Sequence, residues 1–163
     1  MRVFKWIMVL SAAATMAGGA VLTTHVVAQL TCPLGVTSLK ACYGTAGTMY
    51  KPKFYADANP EKKDMLWVAA TFANQGEDVI TKFTVRVLGW DATGAEVFKA
   101  EETYDLAVRE KPVSREWSWE TTAGPNVAQI VFLPIKVSLP GGRNWEASEE
   151  FITKKLADLK AGK

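Results

Sequence analysis

Two adjacent carboxylate pairs, Glu101/Glu102 and Glu149/Glu150, are the first residues whose type and spacing could do chemistry. Glycoside hydrolysis uses carboxylates in twos across a scissile bond. Neighbouring residues on a strand point to opposite faces, so Glu101 and Glu102 should not share a site. Glu149 and Glu150 suit a helix start, where carboxylates meet the positive end of the dipole. Both pairs therefore read as solvated charges. His25 is the only histidine, and it lies in the apolar N-terminal segment. A Ser-His-Asp or Cys-His set is thereby excluded from the body of the chain. No His-Glu-x-x-His, P-loop or dinucleotide fingerprint occurs. The expectation is a protein that is not an enzyme, with no metal site and no identifiable small-molecule substrate.

Cys32 and Cys42 are the only cysteines. A CxxC is absent, and two thiols alone are too few for a metal site. In an oxidising compartment, a pair closing so short a loop reads as a disulfide. Pro33, Gly35 and Gly44 mark the segment as turn-rich, so a staple would help order it. Six tryptophans offer stacking surfaces. Trp117 and Trp119 lie on one strand face and read as core filling, against a platform that stacks a sugar or packs on a partner. Trp90 and Trp145 sit beside turns and are candidates for an exposed partner interface.

These residues depend on where the chain sits. Arg2 and Lys5 open it, and no charged residue follows from Trp6 to Ala28. Two readings of this leader, residues 1–28, stay open. Small or short apolar residues at Val26 and Ala28 suit a signal cut before Gln29. Alternatively, the 23 uncharged residues would span about 34 Å as a helix at ~1.5 Å per residue, enough for a ~30 Å hydrocarbon core. Ala13, Ala17 and Ala20, with Ala14 and Gly18, would then let neighbouring membrane helices approach closely. His25 would lie near the outer end of that helix. There it is a candidate contact for a chlorophyll magnesium or a haem iron, against the plainer reading of a polar interfacial residue.

Arg2 and Lys5 account for the whole excess of 19 basic over 17 acidic residues, so the rest of the chain is neutral. Nothing remains to hold nucleic acid phosphates, and that class is disfavoured. The same balance argues against strong adhesion to anionic lipid surfaces.

Residues 29–64 read as irregular, with one strand near 48–56. From residue 65 to 146 the pattern is β. Leu66 to Asn74 is one strand. Val79 to Trp90 alternates Phe83, Val85 and Val87 against Lys82, Thr84 and Arg86. Glu96 to Val108 and Arg115 to Thr121 also alternate. Val127 to Leu139 is a long apolar strand that Pro134 should bend or split. Short strands with hairpin turns imply a mainly β protein, an antiparallel β-sandwich. Residues 147–163 carry a short C-terminal helix with Ser148 as N-cap. Its stripe of Phe151, Ile152, Leu156 and Leu159 docks on the sandwich or serves a partner.

Leu66 to Gly76, Ile80 to Val87 and Trp90-Asp91-Ala92-Thr93-Gly94-Ala95-Glu96-Val97 resemble bacterial exported immunoglobulin-like domains of the FxLYD type. Those domains run strand, Asn-x-Gly turn, strand, then an aromatic-Asp-x-x-Gly hairpin. Leu88-Gly89-Trp90-Asp91 stands where the naming motif would be. The resemblance covers about a third of the chain after the leader. It implies an immunoglobulin-like sandwich that binds or supports, and it carries over no catalytic residue.

Together these readings lead to a single-pass protein of the bacterial inner membrane with its domain on the periplasmic side. It would be an accessory subunit packing on integral membrane subunits of a larger complex, respiratory or photosynthetic for example. The alternative is a soluble periplasmic or secreted binding module released after Ala28.

Overall fold

The computed structural model describes residues 20–44 and 64–162. Among the described residues nine strands precede one α-helix: β1 (Ala20–Val21), β2 (Thr23–Val26), β3 (Leu34–Gly44), β4 (Met65–Asn74), β5 (Ile80–Trp90), β6 (Glu96–Val108), β7 (Val113–Glu120), β8 (Gln129–Ser138), β9 (Asn144–Glu146) and α1 (Glu149–Lys160). They form two sheets, ordered β1-β3-β4-β7 and β2-β8-β5-β6, and β9 also pairs with β8. Every pairing is antiparallel except β2 on β8. The chain is a mainly β protein built as a two-sheet sandwich.

The period of two in the sequence builds the core. Leu66, Val68, Ala70 and Phe72 of β4 face Phe83, Val85 and Val87 of β5 and Ile130 and Phe132 of β8. Trp117 fills the space between them. Its ring meets Phe72 edge-on at 6.1 Å and Phe132 at 5.6 Å. Edge-to-face packing at such spacings is favourable beyond the area it buries.

β8 is apolar on both faces. Ile130, Val131, Phe132 and Leu133 are all fully buried. Ile130 and Phe132 point between the sheets, while Val131 and Leu133 point to the outer face. There α1 covers them with Ile152, Phe151, Leu156 and Leu159. Ser148 caps the helix by accepting from the Phe151 amide. Pro134 does not split β8, which runs unbroken from Gln129 to Ser138. A bulge absorbs it: Thr84 faces Lys136 and Val85 faces Pro134, which leaves Ile135 extra. The Ile135 carbonyl is taken up by the Ala147 amide.

Two expectations are corrected here. Ala20–Val21 and Thr23–Val26 of the apolar leader are strands, not helix. β1 pairs with β3, and β2 lies parallel to β8 from Thr23 opposite Gln129 to Val26 opposite Phe132. Ala20 is therefore strand backbone and no part of a membrane helix. Ala13, Ala14, Ala17 and Gly18 lie outside the described residues. No helix among the described residues is long and apolar enough to cross a membrane. Second, the segment expected to be irregular contains β3, an 11-residue strand. The strand expected near 48–56 lies outside the described residues.

The long β3 rules out the disulfide. Leu34 to Cys42 runs along one strand, which holds the two cysteines on the order of 25 Å apart at ~3.3 Å per residue. A disulfide needs Cα atoms within about 7 Å. Cys32 belongs to the core between the sheets. Cys42 sits between the core residues Ala41 and Tyr43, so it points to the opposite face and pairs with Trp67. Both thiols are buried, and no bond joins them.

Candidate functional site

The carboxylate pairs are kept apart, as strand alternation requires. Glu101 accepts from Arg86 Nε at 2.7 Å on the outer face of β6. Glu102 lies on the inner face and accepts from the indole of Trp119 at 3.0 Å. Trp119 also packs on Phe98, with ring centroids 5.5 Å apart. Alternation through Phe98, Ala100 and Tyr104 already places Glu102 on the apolar face, so this carboxylate was open to detection in sequence. Glu149 starts α1 within 3.8 Å of Arg86.

His25 sits in β2. Its Nε2 lies 3.1 Å from Gln129 Oε1. That amide oxygen only accepts, so the contact is a hydrogen bond in the form that carries a proton on Nε2. Nδ1 is buried and has no hydrogen-bond partner. Neither nitrogen offers an open position to a macrocycle metal. The candidate haem or chlorophyll contact therefore finds no accessible ring nitrogen at His25 in this structure.

The expected partner face is largely spent inside the chain. Trp90 is only 2% exposed and packs with Leu88, Val131, Leu133 and Ile152. Lys160 lies 5.0 Å above its ring, a cation–π contact that closes the last turn of α1 over the sheet. Phe151, Leu156 and Leu159 face the same cluster. Trp145 is half-buried in β9, and its indole donates to Thr31 Oγ1 at 3.1 Å. The physical reason is economy of apolar surface. The outer face of β5 and β8 is as apolar as the helix stripe, and each covers the other.

A groove of about 700 Å³ opens at one end of the sandwich, where the β4–β5 and β6–β7 connections meet. Val79, Ala107 and Val113 supply its apolar lining, and Glu77, Arg109, Glu110 and Lys111 its charges. All four charged residues are exposed. Asn74 ties the two connections together. Its Nδ2 donates to the Asp78 carbonyl at 2.8 Å and to the Val108 carbonyl at 3.2 Å, and its Oδ1 accepts from the Gly76 amide at 2.9 Å. Arg143 reaches Asp78 at 2.9 Å and joins the turn after β8 to the same end.

Two cations and two carboxylates around an apolar lining give a mixed-sign surface. Such a surface suits a polypeptide, which offers charges of both signs and apolar side chains. It does not suit a polyanion. Sequence reasoning missed this site. Its two halves lie some thirty residues apart and meet only through the sheet crossing. The Asn-x-Gly turn at Asn74 was the one local signal.

No protein family matches this chain, and neither does any characterised protein or solved structure. Nothing in those comparisons identifies an FxLYD-type domain.

Proposed function

We propose that this chain is a non-catalytic exported binding module that docks on another polypeptide through the groove between the β4–β5 and β6–β7 connections. The carrying observation is how polar and aromatic groups are distributed. Trp67, Trp90 and Trp117 are buried and the helix stripe packs on the sandwich, whereas Glu77, Arg109, Glu110 and Lys111 stand exposed around one concavity. The immunoglobulin-like reading adds to this. The two sheets, β1-β3-β4-β7 and β2-β8-β5-β6 with β9 on β8, pack as a sandwich, and loop clusters at the ends of such domains are where they bind. The basic start followed by an apolar run supports export. A subunit of a larger membrane assembly is a fitting partner, reached from the exported side.

The test is a charge reversal. Arg109→Glu combined with Lys111→Glu should leave the thermal transition unchanged, since both side chains are exposed. It should weaken association with the co-purifying partner by at least about tenfold, and the wild-type association should fall with salt. Reversal of Lys154, on the exposed side of α1, is the control. Undiminished association of the groove variant, measured beside that control, would remove the groove from the proposal.

A further inference from the structure

We infer that the leader is cut well before Gln29, at the Gly19–Ala20 or the Ala20–Val21 bond, by a peptidase that reads small residues before the cut. This deepens the export reading and rests on it. A cut after Ala28 would remove residues that the sandwich has absorbed. Leu22 is 3% exposed and belongs to the core between the sheets. Thr24 is 4% exposed, and Val27 lies beneath α1 beside Trp90. The backbone is bound just as closely. The Leu22 amide donates to Ala41 at 3.1 Å, Thr23 to Ala128 at 3.3 Å, and Val27 to Phe132 at 3.0 Å. A mature chain starting at Gln29 would expose the β8 edge along residues 129–132.

The sequence upstream fits the earlier cut. With β1 starting at Ala20, the uncharged run upstream of the strands is Trp6 to Gly19, which is 14 residues. A helix of that length covers about 21 Å at ~1.5 Å per residue. This falls short of a ~30 Å hydrocarbon core but matches the apolar region of a secretory signal, about 7–15 residues. Directly after it come Ala17-Gly18-Gly19-Ala20. Ala17 and Gly19 occupy the third and first positions before one bond, and Gly18 and Ala20 those before the next. Small residues at both positions are what a signal peptidase requires. Hydrolysis consumes one water. It leaves a carboxylate on Gly19 or Ala20 and a free amine on the residue that begins the mature chain.

The experiment is N-terminal sequencing with intact mass of the protein from its native cells. The expected start is Ala20 or Val21. A start at Gln29, a retained Met1 or any other first residue overturns the inference. A second arm substitutes Ala17→Leu together with Gly18→Leu, which changes only the part removed. Uncleaved chain should then accumulate, and an unchanged mature start overturns the inference. Neither readout depends on the groove, so failure here and failure of the binding reading are separable.

Discussion

His25 and Gln129 meet across the parallel pairing of β2 with β8, Nε2 to Oε1 at 3.1 Å. The pair fixes the first strand of the second sheet at the point where β8 begins. Gln29 continues the attachment, its Oε1 accepting from the Ser148 amide at the start of α1. A chain beginning at Gln29 loses this strand with the Leu22 and Val27 side chains. Fully buried side chains of this size contribute roughly 1.5–3 kcal/mol each. The expected outcome is that a chain starting at Val21 unfolds cooperatively in urea. The chain starting at Gln29 should lose at least about 3 kcal/mol on that scale. His25→Ala alone should cost about 1 kcal/mol, the net value of one hydrogen bond. Equal urea midpoints for the two truncations would refute the account of β2.

The thiols give a second outcome. Burial pushes the Cys32 thiol from 9.0 up to about 12, and its Sγ donates to the Leu34 carbonyl. Tyr43 is likewise raised from 10.0 to about 12, by burial and by donating its hydroxyl to Asp64 at 3.0 Å. Both groups hold their protons longer when folded than when unfolded. Their stabilising effect is full below about pH 9 and is lost as pH rises toward 12, because the unfolded chain ionises first. Stability should therefore fall through that alkaline window. Cys32→Ala combined with Tyr43→Phe should flatten the fall. Native protein should resist a thiol reagent at pH 8, react at two sites once unfolded, and show the same melting temperature with and without reductant. A reductant-sensitive transition would mean that a disulfide exists after all.

Much of the fold was legible where polar punctuation is frequent. β5 to β7 alternate, β4 reads as a strand bounded by an Asn-x-Gly turn, and turns with Gly, Asn or Asp separate several of them. The N-terminal strands were hidden by the length of an uncharged run. Val21, Thr23, Thr24, Val26 and Val27 are β-branched, which favours strand over helix, but the run reads first as membrane or signal. β3 was obscured by Pro33, Gly35 and Gly44, although Ala41 and Tyr43 alternate into the core. The docking of α1 had a signal in the unbroken stretch Ile130 to Leu133, since a strand apolar on both faces must be covered on both. The groove had almost none, because it arises from two connections brought together by the sheets.

That coverage of β8 sets the cost of disturbing α1. Ile152 is 4% exposed and touches the Trp90 cluster. Ile152→Ala should destabilise the domain by about 2–4 kcal/mol, within the usual range for such a deletion. Lys154→Ala, on the exposed side of the same helix, should cost less than about 0.5 kcal/mol. Urea unfolding followed by tryptophan fluorescence measures both. Equal costs at the two positions would show that α1 does not use this face.

Gly124 packs directly against the ring of Tyr43. A Cβ on Gly124 would fall inside the Tyr43 ring, whose position is set by the hydrogen bond to Asp64 and by burial at 2% exposure. Gly124 is the first residue of the short 3-10 turn before β8, and its φ is not one that demands glycine. The requirement is therefore for space alone. Gly124→Ala should cost about 3 kcal/mol, the upper part of the range for overpacking. Tyr43→Ala should also destabilise, by leaving a cavity. The double variant separates the two effects. Without the ring, the added methyl meets no obstacle, so the pair should be markedly less destabilised than the sum of the single changes, by at least about 1 kcal/mol in a double-mutant cycle. Strict additivity in chemical denaturation would mean that Gly124 is needed for its backbone and not for the Tyr43 ring.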